Sequence, residues 1–212
     1  MKRIAGIIIM LAGLTAGRPW WVKDGPVTGM PLRAVQALNE TVVWAVGEGG
    51  QVWQRTGSTP QEHVWTQKYP PGYMYYDFND VWFVDSSVGW IVGEKIWGYN
   101  DSYKGIVYRT TDGGTTWDSL PTPSFPIPTP FLKVRMVDIG GGLYQGYISC
   151  GNGIVLKYDP ITQSWQPTAS KPWSDSLKNA QTFYNGLWVD PGNERIANII
   201  QSRIGYLIIP RR

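Results

Sequence analysis

Arg109 to Trp117 reads RTTDGGTTW, and these nine residues decide the fold. An aspartate followed by two glycines and two threonines has the chemistry of a tight turn. Asp112 can accept hydrogen bonds from turn amides, and Gly113 and Gly114 admit positive φ. Before it stands GIVYR from Gly105, a run of β-favouring residues, and after it Trp117, whose ring suits packing between sheets. The stretch therefore predicts a hairpin between two strands.

Outward from that hairpin the chain repeats itself. Leu32 to Asn39 (LRAVQALN), Phe78 to Asp85 (FNDVWFVD), Phe131 to Asp138 (FLKVRMVD) and Phe183 to Asp190 (FYNGLWVD) align without gaps, their starts 46, 53 and 52 residues apart. Each is followed by a second strand candidate: Thr41 to Glu48, Val88 to Glu94, Leu143 to Cys150 and Arg195 to Ser202. The first two of these share Trp-x-Val-Gly-Glu. A third candidate begins at Gly50, Gly105, Gly153 and Gly205, and a fourth is marked by Trp65, Trp117 and Trp165. With 12 Trp, 12 Tyr, 25 Gly and 16 Pro in 212 residues, the composition favours many short strands joined by turns.

Four strands per repeat predict an all-β chain of four-stranded antiparallel blades, a β-propeller of about four blades. The fourth strand of the last blade is supplied by Pro19 to Lys23 (PWWVK), because Trp21 stands 44 residues before Trp65. Such a shared blade closes the ring and covers its edges. The repeats fall near 31–72, 73–126, 127–170 and 180–212 plus 18–24, making 18–212 one domain. Ahead of it, Lys2 and Arg3, an apolar run from Ile4 to Leu14 and the small residues Thr15, Ala16 and Gly17 have the layout of a signal peptide over 1–17. Its alternative is a buried first strand. Export implies a secreted or periplasmic protein with no stable membrane anchor after cleavage.

Thr110, Asp112, Gly114, Thr116 and Trp117 match S/T-x-D-x-G-x-T-W at every position. This resembles the Asp-box, or BNR repeat, of sialidase, xyloglucanase and sortilin-type propellers. With its flanks, Phe-x5-Val-Asp and Gly-Trp-x-Val-Gly, the chain looks most like photosystem II stability/assembly factor-like proteins, well over Leu32 to Trp117 and loosely beyond. The resemblance implies a peripheral box that stabilises its turn, so Asp112 is not expected to be catalytic. It also implies more than four blades, leaving open a compact relative or a fragment of a longer propeller. The other boxes have drifted: Gln54 to Trp65 has an insertion and no Asp, and Lys157 to Trp165 (KYDPITQSW) carries its Asp one place early.

Removing the first 17 residues leaves 17 basic against 16 acidic residues, too even a balance for a nucleic-acid partner. His63 is the sole histidine, which excludes a His-rich metal site, and it sits in the inserted turn before Trp65, where no Ser/His/Asp arrangement can be defended. No cofactor and no metal are expected. Cys150 is the only cysteine and reads as a small core residue. A sialidase needs converging arginines; Arg33, Arg109 and Arg135 are spread over three repeats. A two-carboxylate glycosidase would draw on Glu48, Glu94, Asp80 or Asp101, acids that otherwise cap strand ends and turns.

The remaining signal is aromatic. Loops joining blade to blade and second strand to third share the face opposite the Asp-box. Tyr73, Tyr75 and Tyr76 fall in one such loop, and Trp97, Tyr99 and Tyr103 in the long loop from Lys95 to Lys104. Trp173 and the segment Pro121 to Pro130 lie on the same side. Such rings offer large contact area with a polar tip, or they pack the loops onto the blades. The expected function is a non-enzymatic binding or assembly module holding a polypeptide partner. The alternative is a carbohydrate-active protein, either a glycan binder or a diverged glycosidase.

Overall fold

The computed structural model describes residues 24–96, 104–125, 128–151 and 153–168, and the backbone of 186–189 and 196–199. These residues form an all-β structure in which every sheet is an antiparallel meander. Sheet 1 runs β1 (Leu32–Ala37), β2 (Val43–Gly47), β3 (Val52–Thr56) and β4 (Val64–Gln67). Sheet 2 runs β5 (Tyr76–Phe83), β6 (Gly89–Lys95), β7 (Gly105–Thr110) and β8 (Asp118–Ser119). Sheet 3 runs β9 (Phe131–Gly140), β10 (Leu143–Cys150), β11 (Val155–Asp159) and β12 (Ser164–Pro167). A fourth pair, β13 (Gly186–Val189) with β14 (Ile196–Ile199), starts a further sheet. The strand expected at Pro19 to Lys23, and the one expected from Gly205, lie outside the described residues.

The first strand of each sheet lies beside the first strand of the next, β1 on β5, β5 on β9 and β9 on β13. This is the order of blades around a propeller-type hub. Two cores fill the gaps between sheets. Trp44, Val46 and Val52 of sheet 1 meet Phe78, Val81, Phe83, Ile91, Tyr108 and Trp117 of sheet 2. On the other side Trp90, Val92 and Val107 of sheet 2 meet Phe131, Val134, Met136, Ile148 and Leu156 of sheet 3. Sheet 2 is thus covered on both faces. That is why β6 reads Gly-Trp-Ile-Val-Gly without polar alternation: Trp90 and Val92 enter one core and Ile91 the other.

β1, β5 and β9 each carry a bulge at the same repeat position, with Arg33, Asn79 and Leu132 the extra residue against the partner strand. In sheets 1 and 2 the bulge brings backbone close to Gly47 and Gly93. A Cβ at Gly93 would collide with the Asp77 carbonyl oxygen, and one at Gly47 with that of Pro31. The glycine of the repeated Trp-x-Val-Gly-Glu is therefore steric in origin. Two third strands start later than their glycines, β3 at Val52 and β11 at Val155, because Gly50 and Gly153 belong to the preceding turns.

Candidate functional site

At the hub, the bulges aim polar side chains at one another. Arg33 Nη2 donates to Glu48 Oε1 (3.0 Å) and Asp77 Oδ2 (2.8 Å), while Nη1 donates to Asn79 Oδ1 (2.6 Å) and Glu94 Oε1 (3.2 Å). Asp77 also accepts from the Gly49 amide (2.8 Å). Burial works against the charge of Arg33, but the Glu48, Asp77 and Glu94 carboxylates outweigh it and hold its pKa above the ordinary value. Glu48 and Glu94, the acids of the repeated motif, are thus brought together around one guanidinium. Sequence reasoning missed Asp77 and Asn79. The usable signal was an arginine and an asparagine at the same repeat position.

Asp80 belongs to a second cluster, one sheet further on. Its Oδ2 accepts from the Val134 amide (3.0 Å) and Arg135 Nη1 (2.6 Å), with Lys133 Nζ 3.6 Å from Oδ1. Arg135 also lies over the Trp82 ring at 4.6 Å. Arg109 is placed elsewhere, over Trp90 and Tyr144 and donating to Gln163. Among the described residues the three arginines therefore share no partner. Asp101 lies outside the described residues. Among the described residues no group of three or more His, Cys, Asp or Glu is placed to hold a metal ion.

Beside the Arg33 cluster lies the loop from β4 to β5. A short 3-10 turn over Tyr73–Tyr75 packs on the turn at Glu48–Gly50. Tyr73 and Tyr76 rest against the core between sheets 1 and 2, Tyr76 stacking on Phe78 and meeting Tyr108 edge-on. Tyr75 stays exposed, as does the adjacent Met74 and also Tyr69, whose ring lies 5.1 Å from that of Tyr73. The Tyr75 carbonyl accepts from the Ile96 amide (2.8 Å), tying this loop to the end of sheet 2. Trp97, Tyr99, Tyr103 and Trp173 lie outside the described residues.

On the rim, the box is closed on itself. Thr110 Oγ1 donates to Asp112 Oδ1 (2.8 Å) and accepts from the Gly114 amide (2.9 Å). Asp112 in turn accepts from the Thr116 amide (2.9 Å to Oδ1) and the Thr116 hydroxyl (2.6 Å to Oδ2). These bonds, led by the Thr116 hydroxyl, hold the Asp112 pKa down to about 2. Trp117 is buried edge-on against Trp44 and Phe83, which stack on each other at 4.2 Å. In the drifted copy, Asp159 accepts from the Ile161 amide (2.9 Å) and Thr162 Oγ1 (2.8 Å), so its early position still caps a turn.

No family model matches the chain. It is similar to YCF48 solved bound to a D1 peptide, with TM-score 0.53 and 20% identity over 78% of this chain and 45% of that one. It is also similar to YCF48 from Cyanidioschyzon merolae, with TM-score 0.54 and 16% identity over 84% of this chain and 59% of that one. The fold is a propeller type resembling YCF48. In sequence, a xyloglucanase from Paenibacillus sp is 26% identical over 176 residues, 74% of this chain and 16% of the enzyme. The chain thus spans about half the length of each YCF48 chain and a small part of the xyloglucanase.

Proposed function

We propose that this chain is an exported, non-enzymatic binding or assembly module that holds a polypeptide segment on its loop face. The observation that carries the reading is the exposed Tyr69, Met74 and Tyr75 beside the Arg33 cluster. Apolar and aromatic side chains there adjoin ionised groups, the mixture that anchors a peptide through a few rings and polar contacts. The similar YCF48 was solved with a peptide, which supports a protein partner here. Trp97, Tyr99, Tyr103 and Trp173 extend the same face in this proposal, and the Asp-box serves only to hold its blade.

The similarity to a xyloglucanase favours a second reading, a glycan held on the same rings. Both are tested by titrating the chain, and a Tyr75→Ala, Trp97→Ala double variant, with a panel of unstructured peptides and a panel of β-glucan oligosaccharides. Peptide affinity that drops at least about tenfold in the double variant, as expected for two aromatic anchors, supports the proposal. Peptide binding unchanged by the double substitution overturns the face assignment, and binding confined to oligosaccharides transfers the role to the second reading.

A further inference from the structure

The four aligned first-strand segments end on one repeat position, occupied by Asn39, Asp85, Asp138 and Asp190. In the three described turns that follow, the side-chain oxygen at this position caps the backbone. Asp85 Oδ1 accepts from the amides of Ser87 and Val88 (2.7 Å each), and Asp138 Oδ1 accepts from the Gly140 amide (2.7 Å). Asn39 Oδ1 does the same for the amides of Thr41 (2.9 Å) and Val42 (2.8 Å), and it takes the Thr41 hydroxyl as well (2.8 Å). Three donors converging on one atom identify it as the amide oxygen, so Nδ2 is the group left over. Among the described residues the side-chain bonds of Asn39 all fall on Oδ1, leaving Nδ2 uncommitted on an exposed residue. The turn thus needs an acceptor oxygen and nothing more. Where the other repeats meet that need with aspartate, sheet 1 adds an amide nitrogen that the fold does not use.

We propose that Asn39 is an acceptor for an N-linked glycan. Asn39-Glu40-Thr41 is an Asn-x-Thr triplet whose centre is not proline, the acceptor pattern for such a sugar. The pattern alone does not select it, because Asn100-Asp101-Ser102 also fits and lies outside the described residues. Geometry selects Asn39: the triplet stands at the β1–β2 hairpin tip, its hydroxyl already bonded to the amide oxygen and its nitrogen free. In the reaction Nδ2 attacks the anomeric carbon of a lipid-linked sugar diphosphate. A nitrogen–carbon bond forms and the anomeric carbon–oxygen bond breaks. The diphosphate leaves with the electron pair, and Nδ2 gives up one proton. The glycosylated residue keeps Oδ1, so the turn keeps its cap. Arg55 Nη2 donates to the Glu40 carbonyl (2.8 Å), which holds this tip against β3, at the opposite end of β2 from Gly47 and the Arg33 cluster. A glycan here leaves Tyr75 uncovered. The inference therefore stands whether or not the loop face holds a peptide, and of the proposed function it needs only export.

The full chain is secreted from a eukaryotic host, once behind its own N-terminus and once behind the host's cleavable leader. Peptide maps are then read before and after treatment with peptide-N-glycosidase, which releases the sugar and leaves aspartate at its attachment point. Expected is a sugar mass on the peptide carrying Asn39 in most molecules, with aspartate at position 39 after treatment. Thr41→Ala should abolish the sugar while leaving Asn39 in place. Asn39→Asp should abolish it too and keep the urea midpoint of the unmodified chain, since aspartate serves the same turn in sheets 2 and 3. A bare Asn39 in chain recovered from the medium behind the host leader overturns the inference, as does sugar at Asn100 alone. Sugar that survives Thr41→Ala overturns it as well. Sugar at Asn39 behind the host leader but not behind the native N-terminus upholds the acceptor and counts against export instead.

Discussion

Aspartates at the hub and at the rim are the same residue put to different uses. Asp77 and Asp80 stand on β5, and each bonds outward to a different neighbour, Asp77 to Arg33 and Gly49 of sheet 1 and Asp80 to Val134 and Arg135 of sheet 3. Among the described residues Asp112 and Asp159 bond within their own turns, as Asp85 does to the amides of Ser87 and Val88. The hub acids therefore join sheets that are about 50 residues apart in sequence, while the rim acids shape a few residues of local backbone. One consequence is an ordering of energetic weight. A buried carboxylate with two cations and an amide depending on it is costly to remove, and an exposed one in a surface turn is not.

The largest effect is expected at Asp80, whose side chain is 5% exposed. Asp80→Ala strands the Val134 amide and removes the counter-charge of Arg135 and Lys133, for a loss of about 3 kcal/mol or more. A urea melt should show the midpoint falling steeply; a change under 1 kcal/mol would mean that the hub network contributes little. Next comes Gly114, a rim residue that touches the core. Its φ of +77° disfavours a side chain, and a Cβ there would collide with the Trp44 ring. Gly114→Ala should cost about 2 kcal/mol or more, combining left-handed strain with overpacking. The matched change at Gly140, also at positive φ but with open space around it, should cost less. Equal losses at the two glycines would assign the cost to backbone alone.

The same contrast explains what was legible in the sequence. Rim acids sit in motifs because a turn is a local object, and its residues must be adjacent in the chain. Hence Thr110 to Trp117 could be read directly, and the strands followed from the repeat of β-favouring runs. Hub acids have partners set by how sheets stack, and stacking distance leaves no trace in local spacing. Glu48 and Glu94 were visible as copies of one motif, but their common partner Arg33 was not. Tyr73, Tyr75 and Tyr76 illustrate the remaining gap. Three rings within four residues look alike in sequence, yet the 3-10 turn exposes Tyr75 while Tyr73 and Tyr76 rest on the core.

Arg33 offers an intermediate test, since it is a hub residue that solvent still reaches, with 30% of its side chain exposed. Arg33→Met should cost about 1–2 kcal/mol, less than Asp80→Ala, because water can compensate part of the lost pairing. Arg33→Lys should recover little of it, since one ammonium does not reproduce a fork that serves Asp77 and Glu48 on one nitrogen and Asn79 and Glu94 on the other. Full rescue by lysine would show that charge alone matters at the hub.

The smallest effect, and the one that isolates a rim carboxylate, is the pH dependence of Asp112. Its pKa in the fold is about 2 against an ordinary 3.8, so the fold favours the ionised form. That contribution is fully present above the unfolded value and is lost as pH falls from about 4 through about 2, when the folded carboxylate also takes up a proton. An Asp112→Asn variant should melt below the parent chain at pH 7, and the gap should close as the pH is lowered through this window, because the parent loses what the variant never had. Asp159, whose pKa is also lowered by its turn amide, should behave in the same sense when changed to Asn. A gap at Asp112 that stays constant from pH 7 to pH 2.5 would mean that ionisation of the carboxylate carries none of the difference, and no gap at pH 7 would mean that the box is held by its threonine hydroxyls and glycines alone.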